Sequence, residues 1–221
     1  MAGKLVVLEG TDGSGKSTQF ALLWEALLRQ GREVGTMVFP RYQEESSALV
    51  RLYLGGAFGS RPGDVSPYAA STFFAVDRYA GYRQDWGARY EGGMLMVSDR
   101  YTTSNAVHQA AKLPPEERPA FLEWLADLEY DKLALPRPDL VLWLDVPTQL
   151  AVANLRRREA ATRTQGDIHE VDEAYLEACR EAAGQAAALY GWRRIDCANG
   201  RGGLREVEDI HREIMELTGG L

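Results

Sequence analysis

The chain has 221 residues, 45% of them hydrophobic and 26% charged, which places it among ordinary globular proteins and excludes disordered and fibrous classes. Surface scaling gives roughly 35,000 Å² exposed when unfolded and about 10,000 Å² when folded, so about 70% of the surface can be buried around a sizeable core. A formal net charge of −7 argues against a protein that coats nucleic acid.

The first apolar run after Lys4 ends at Glu9, and no stretch of roughly 18 apolar residues occurs, so neither a membrane span nor a signal peptide is expected and the location expected is cytoplasmic. Cys179 and Cys197 are too few for a disulfide framework and lack metal-ligand spacing with His108, His169 or His211, so both are read as reduced thiols. Of the 25 basic residues, all but Lys4, Lys16, Lys112 and Lys132 are arginine. A planar guanidinium suits phosphate recognition, although a compositional bias would give the same excess.

In chain order, residues 4–9 read as a buried strand, followed by a glycine-rich turn and a helix over 17–30 with Phe20, Leu23, Leu27 and Leu28 on one face. Further short apolar strands are predicted at 34–39, 94–98, 140–146 and 194–197, separated by helix-length segments. This alternation implies an α/β fold, a parallel sheet covered on both faces within one domain spanning 1–221. Pro114, Pro115 and Pro119 precede a helix at 121–130, and Pro136 and Pro138 precede the fourth strand. A helix is predicted at 148–155, then a mobile basic loop holding Arg156, Arg157, Arg158 and Arg163 that runs to Asp172, with helix resuming at Tyr175. Four arginines and one glutamate give 156–163 a charge of +3, leaving −10 for the remainder of a chain whose total is −7.

Gly10, Thr11, Asp12, Gly13, Ser14, Gly15, Lys16 and Ser17 form an eight-position phosphate-binding loop between a strand and a helix, with Thr18 next in line. The glycines let successive backbone N–H groups turn toward phosphate oxygens, and the helix presents its positive end to them. Lys16 is expected to reach the β and γ phosphates of a nucleoside triphosphate and the Ser17 hydroxyl to ligate Mg²⁺. The lack of an Asn-Lys-x-Asp element argues against a switch GTPase; a mechanical ATPase would use Asp145 at the end of the fourth strand as its acidic group. A phosphotransferase needs a second anion site, and two segments offer one. Ser98-Asp99-Arg100-Tyr101 ends the third strand, where ligands of open α/β sheets bind. Phe74 and Arg78 fall on one helical face, as a stacking ring and an edge-reading guanidinium would, although Phe74 is equally a core candidate and Arg78 could pair with Asp77.

Taken with Phe39-Pro40-Arg41-Tyr42, Ser104-Asn105 and the segment from Pro138 to Pro147, these motifs resemble the thymidylate kinase family over nearly the whole chain. The resemblance implies a P-loop NTPase-type three-layer α/β/α fold with a five-stranded parallel sheet, a helical lid near 156–172 and acceptor-binding insertions within 39–110. It implies Mg²⁺-dependent transfer from ATP to dTMP in dTTP biosynthesis, by a homodimer whose contact would use helices after Gly92 or near Ala69. By the same resemblance Asp12 binds the sugar 3′-hydroxyl, Phe74 stacks on thymine, Arg78 donates to its O4, and Asn105 with Gln109 reads the edge around N3. Phe39 walls the methyl side, while Arg41, Tyr42 and Arg100 hold the acceptor phosphate.

Asp99 is implied as a Mg²⁺-water ligand or an orienter of Arg100. Gly13 occupies a position where some members carry arginine, which implies a lid arginine, Arg158 first and Arg163 second, as the catalytic cation. The position four after Ser104, commonly Tyr or Phe in the family, is His108, expected to fill the same space as a neutral ring beneath the deoxyribose. The rival readings are a kinase for another monophosphate such as dUMP or dGMP, and a P-loop ATPase or regulatory protein that transfers nothing.

Overall fold

The computed structural model describes residues 2–162 and 173–221. Among these residues the strands β1 (Leu5–Glu9), β2 (Val34–Val38), β3 (Leu95–Asp99), β4 (Leu140–Asp145) and β5 (Arg193–Asp196) form one parallel sheet of five in the order β2-β3-β1-β4-β5. The expected strands fall within a residue of these bounds: β1, β3 and β4 are short apolar runs that the centre of a parallel sheet buries on both faces, while β2 and β5 lie at its edges and are less buried. β1 shows this directly: Leu5 and Val7 join a cluster with Trp86, Phe121 and Trp143, whereas Val6 and Leu8 join one with Leu23, Leu27, Ile210 and Ile214. Each such leucine contributes roughly 1.5–3 kcal/mol of burial. The accessible surface is 10899 Å², in line with the scaling expectation.

Helix α1 (Lys16–Arg29) packs against β1 and β3, with Leu23 and Leu27 on its buried face. Helices α2 (Ala48–Leu54) and α3 (Pro67–Gly81) form the insertion between β2 and β3; α3 begins with Pro67, and the Ser66 side chain accepts from the Ala69 N–H at 3.1 Å. α4 (Gly87–Glu91) leads into β3, and α5 (Thr103–His108) follows it almost at once. The helix expected at 121–130 is α6 (Arg118–Ala126), extended by a π-helical turn at Asp127–Lys132.

The expectation for the basic segment needs correction. Helix α7 runs from Thr148 to Thr162, so Arg156, Arg157 and Arg158 lie on a helix and not in a loop after Leu155. Leucine, arginine, glutamate and alanine are strong helix formers and nothing in 155–162 breaks the helix. Arg163 and the rest of the expected lid to Asp172 lie outside the described residues; α8 (Glu173–Tyr190) follows, and α9 (Val207–Thr218) closes the chain against α1.

Candidate active site

The phosphate loop leaves β1 at Glu9 and enters α1 at Lys16. Gly10 fits where a Cβ would stand 2.7 Å from the Ser14 hydroxyl, and Gly13 and Gly15 adopt φ of +81° and +84°, conformations that favour glycine. A cavity of about 620 Å³ opens over the loop, lined by Asp12 through Thr18, by Asp99 and Arg100, and by Asn154, Arg157 and Arg158 of α7. Gly10 and Thr11 are buried and do not belong to this lining. The Lys16 ammonium donates to the Thr11 carbonyl at 3.2 Å. Burial lowers its pKa below the ordinary lysine range, and Arg100 pushes the same way against the pull of Asp12, Asp99 and Glu9. The Ser17 hydroxyl donates to Asp99 Oδ2 at 3.0 Å, and Asp99 Oδ1 is buried with no protein partner.

Arg100 is the hub between this cavity and the next. Its φ of +66° turns the chain sharply after β3 and sends the guanidinium back over the loop. There it pairs with Asp12, donates to Ser104 Oγ at 3.3 Å and meets His108 Nε2 at 3.0 Å, with Glu9 Oε1 at 3.7 Å. Burial opposes its charge, but the carboxylates of Asp12, Glu9 and Asp99 outweigh that and raise its pKa. Glu9 is fully buried and accepts from the Gly10 N–H at 2.9 Å, Thr103 Oγ1 at 2.6 Å and Ser104 Oγ at 2.7 Å, tying α5 to the loop.

Beyond Arg100 lies a pocket of about 120 Å³ whose lining includes Asp12, Phe39, Tyr42, Phe74, Arg78, Ser104, Asn105, His108 and Gln109. The two cavities share Asp12, Phe39, Pro40, Tyr42 and Arg100, so they are contiguous. Phe74 faces the pocket with an edge-to-face contact to Tyr53 at 6.1 Å, while its neighbour Phe73 turns toward Phe58. His108 receives Arg100 on Nε2, which places the ring proton on Nδ1, 3.6 Å from Cys179 Sγ.

Of the expected acceptor residues, Arg41 departs from the pocket. Its backbone N–H donates to Asp77 Oδ2 at 2.8 Å and its side chain runs along α3, with Cδ 3.0 Å from where a Cβ on Gly81 would stand. Asp77 is thereby occupied, also accepting from Ser46 Oγ at 2.6 Å, so the expected alternative of an Arg78–Asp77 pair does not form. Arg78 pairs instead with Glu129, a residue the motif reading passed over. A signal for it exists: Phe121, Leu125 and Glu129 recur every four residues, and a carboxylate on an apolar stripe requires a buried cation. Arg157, expected only as a member of the basic cluster, lines the loop cavity together with Arg158, and Asn154, which the motif reading passed over, shares their helical face. Asp145, the acid a mechanical ATPase would need, is held by Arg180 Nε at 2.6 Å and Arg194 Nε at 2.7 Å and does not line the loop cavity.

A phosphate loop at the centre of a parallel sheet, opening onto a second pocket across an arginine, defines a P-loop phosphotransferase. The Thymidylate kinase family model matches residues 8–199, and the chain belongs to that family, phosphotransferases acting on dTMP. It is 35% identical over 192 residues to the thymidylate kinase of Mycobacterium tuberculosis (strain ATCC 25618 / H37Rv), covering 85% of this chain and 87% of the relative. It is 33% identical over 223 residues to the probable thymidylate kinase of Pyrococcus abyssi (strain GE5 / Orsay), covering 99% and 97%. The solved thymidylate kinase of Candida albicans superposes with a TM-score of 0.72 over 99% of this chain and 92% of that one; at 20% identity the likeness bears on the fold alone.

Proposed function

We propose that the protein transfers the γ-phosphoryl group of ATP to the 5′-phosphate of dTMP, giving ADP and dTDP for dTTP synthesis. The observation that carries this reading is the contiguity of the loop cavity with the acceptor pocket through Asp12 and Arg100. ATP lies on the loop with its phosphates on the backbone N–H groups and Lys16, and dTMP enters from the other side with its phosphate toward Arg100 and Tyr42. The acceptor phosphate oxygen is already ionised, so no general base is needed and the residues contribute position and positive charge.

Arg100 leaves Asp12 for the acceptor phosphate, and Asp12 becomes available to the sugar 3′-hydroxyl. Phe74 stacks on thymine, Arg78 donates to O4, Asn105 accepts from N3–H, and Gln109 stands beside them; Phe39 closes the methyl side, and Ser104 and His108 flank the sugar and phosphate. Arg158, on the α7 face over the loop, is the catalytic cation, and Arg157 shares its lining. The residues fit Mg²⁺: Ser17 and Asp99 would hold it, partly through water, with the unpartnered Asp99 Oδ1 as the second oxygen. Such an ion neutralises charge on the β and γ phosphate oxygens.

The chain works as one kinase domain in the cytoplasm, and no helix among the described residues is long and apolar enough to cross a membrane. Leu49 and Leu52 on α2 and Val76 and Tyr79 on α3, two helices in contact, are exposed apolar side chains, which supports a homodimer. A coupled ADP-release assay across nucleoside monophosphates tests the reading: dTMP is the preferred trigger, and equal ADP release without any acceptor overturns it. Sedimentation equilibrium tests the dimer, which Leu52→Glu is expected to dissociate; a wild-type monomer at all concentrations contradicts it.

A further inference from the structure

Glu129 is 0% exposed and sits on the π-helical turn Asp127–Lys132, behind the acceptor pocket and outside its lining. Its Oε2 accepts from Arg78 Nε at 2.7 Å and its Oε1 from Arg78 Nη2, a side-on bidentate pair. The same Oε1 accepts from Asn105 Nδ2 at 3.1 Å, and that nitrogen also donates to the Ser71 carbonyl at 3.2 Å. A carboxylate and a backbone carbonyl are both acceptors only. Turning the Asn105 amide over would set its oxygen against two buried acceptors, so its orientation is dictated and Oδ1 is the atom available to the pocket that Asn105 lines. Arg78 can only donate, and with Nε and one edge committed to Glu129 its Nη1 remains for the pocket.

We propose that Glu129 is the positioning residue that sets base specificity. By holding Arg78 side-on and Asn105 nitrogen-first, it presents to the base one donor and one acceptor in fixed order. A pyrimidine with a carbonyl at C4 and a proton on N3 complements that pair. Cytosine, with an amino group at C4 and a bare N3, sets donor against donor and acceptor against acceptor. Gln109 does not share this constraint, since both its amide atoms are buried without partners and it can present either to a ligand. The inference rests on the reading of this pocket as the site of a pyrimidine monophosphate acceptor.

The test is kcat/KM for dTMP, dUMP and dCMP in the wild type, Glu129→Gln, Glu129→Asp and Asn105→Ala. A glutamine at 129 is near-isosteric and brings a donor that lets the Asn105 amide turn over. The dTMP to dCMP ratio is expected to fall about tenfold or more in Glu129→Gln, with the dTMP to dUMP ratio and the KM for ATP held within about twofold. Glu129→Asp, which keeps the charge, is expected to restore part of the ratio. Asn105→Ala leaves the Arg78–Glu129 pair in place, removes the amide that Glu129 orients, and is expected to lower the same ratio; where Glu129→Gln does not fold, Glu129→Asp decides, since a dTMP to dCMP ratio equal to that of the wild type overturns the proposal. An unchanged dTMP to dCMP ratio overturns the proposal, as does a uniform loss for all three monophosphates, the signature of a merely structural role. A wild-type enzyme without dTMP-dependent turnover overturns the acceptor reading itself, and is distinguished because it appears before any variant is compared.

Discussion

Gly13 and Ala151 are in backbone contact: a Cβ on Gly13 would fall 2.9 Å from the Ala151 carbonyl carbon and nearer still to its oxygen. The Asn154 amide donates to the Gly13 carbonyl at 2.9 Å, so α7 rests directly on the tip of the phosphate loop. The loop therefore has no room for a side chain at its tip, and the cations that line the cavity besides Lys16 and Arg100 come from α7. Gly13→Ala adds a left-handed alanine, at roughly 1–3 kcal/mol, to a backbone clash, and is expected to lower kcat/KM for ATP about tenfold or more. Steady-state kinetics on a variant shown to be folded by circular dichroism check this; wild-type kinetics would mean that α7 does not rest on the loop.

The three adjacent arginines of α7 should behave differently. Arg158→Ala is expected to lower kcat about 10²- to 10³-fold while the KM for dTMP moves less than about threefold, as loss of a charge that acts in the transition state requires. Arg156 is exposed and absent from the cavity lining, so Arg156→Ala is expected to leave kcat within about twofold of wild type. Turnover unchanged in Arg158→Ala would remove it from the mechanism.

Lys112 gives a pH signature in stability. It donates to the Val65 carbonyl at 3.0 Å and lies over the Tyr53 ring, and burial lowers its pKa from 10.5 to about 8, slightly opposed by Cys179. Between about 8 and 10.5 the unfolded chain holds this proton and the folded chain does not, so the group's contribution to stability rises with pH in that window. Denaturant unfolding of wild type and Lys112→Met should show the difference between them shifting in favour of wild type by at most ~1.4 kcal/mol per pH unit, less to the extent that water screens the site. A pH-independent difference would contradict the burial.

The Arg78–Glu129 pair predicts strong coupling in stability. Glu129→Leu strands a buried guanidinium and is expected to cost ~3–5 kcal/mol, whereas the double variant Arg78→Met with Glu129→Leu is expected to cost less than Glu129→Leu alone. Urea unfolding of both singles and the double measures this; additive losses would show that the two charges do not compensate each other.

The fold and the meeting of the phosphate loop with Asp99 and Arg100 were legible because their signals are local. The phosphate loop and the Asp99-Arg100 pair each follow a strand, and β1 and β3 pair with Leu8 opposite Asp99, so neighbouring strands deliver both motifs to one edge. The pocket beyond Arg100 was less legible. Glu129 reaches Arg78 across 51 residues and Asn105 across 24, and no local pattern announces which buried acid meets which cation. Arg41 sits in a recognisable motif, yet its side chain is drawn along α3 because its backbone is held by Asp77, a contact across 36 residues. For α7, helix propensity in 155–162 outweighed the impression of a basic loop.

The most direct measurement follows the γ phosphate itself. With ATP labelled at the γ position and dTMP in excess, the label is expected in the β phosphate of dTDP, in step with ADP formation, and to depend on Lys16 and Arg100. Label released as inorganic phosphate at the same rate with or without dTMP would contradict phosphoryl transfer at this site.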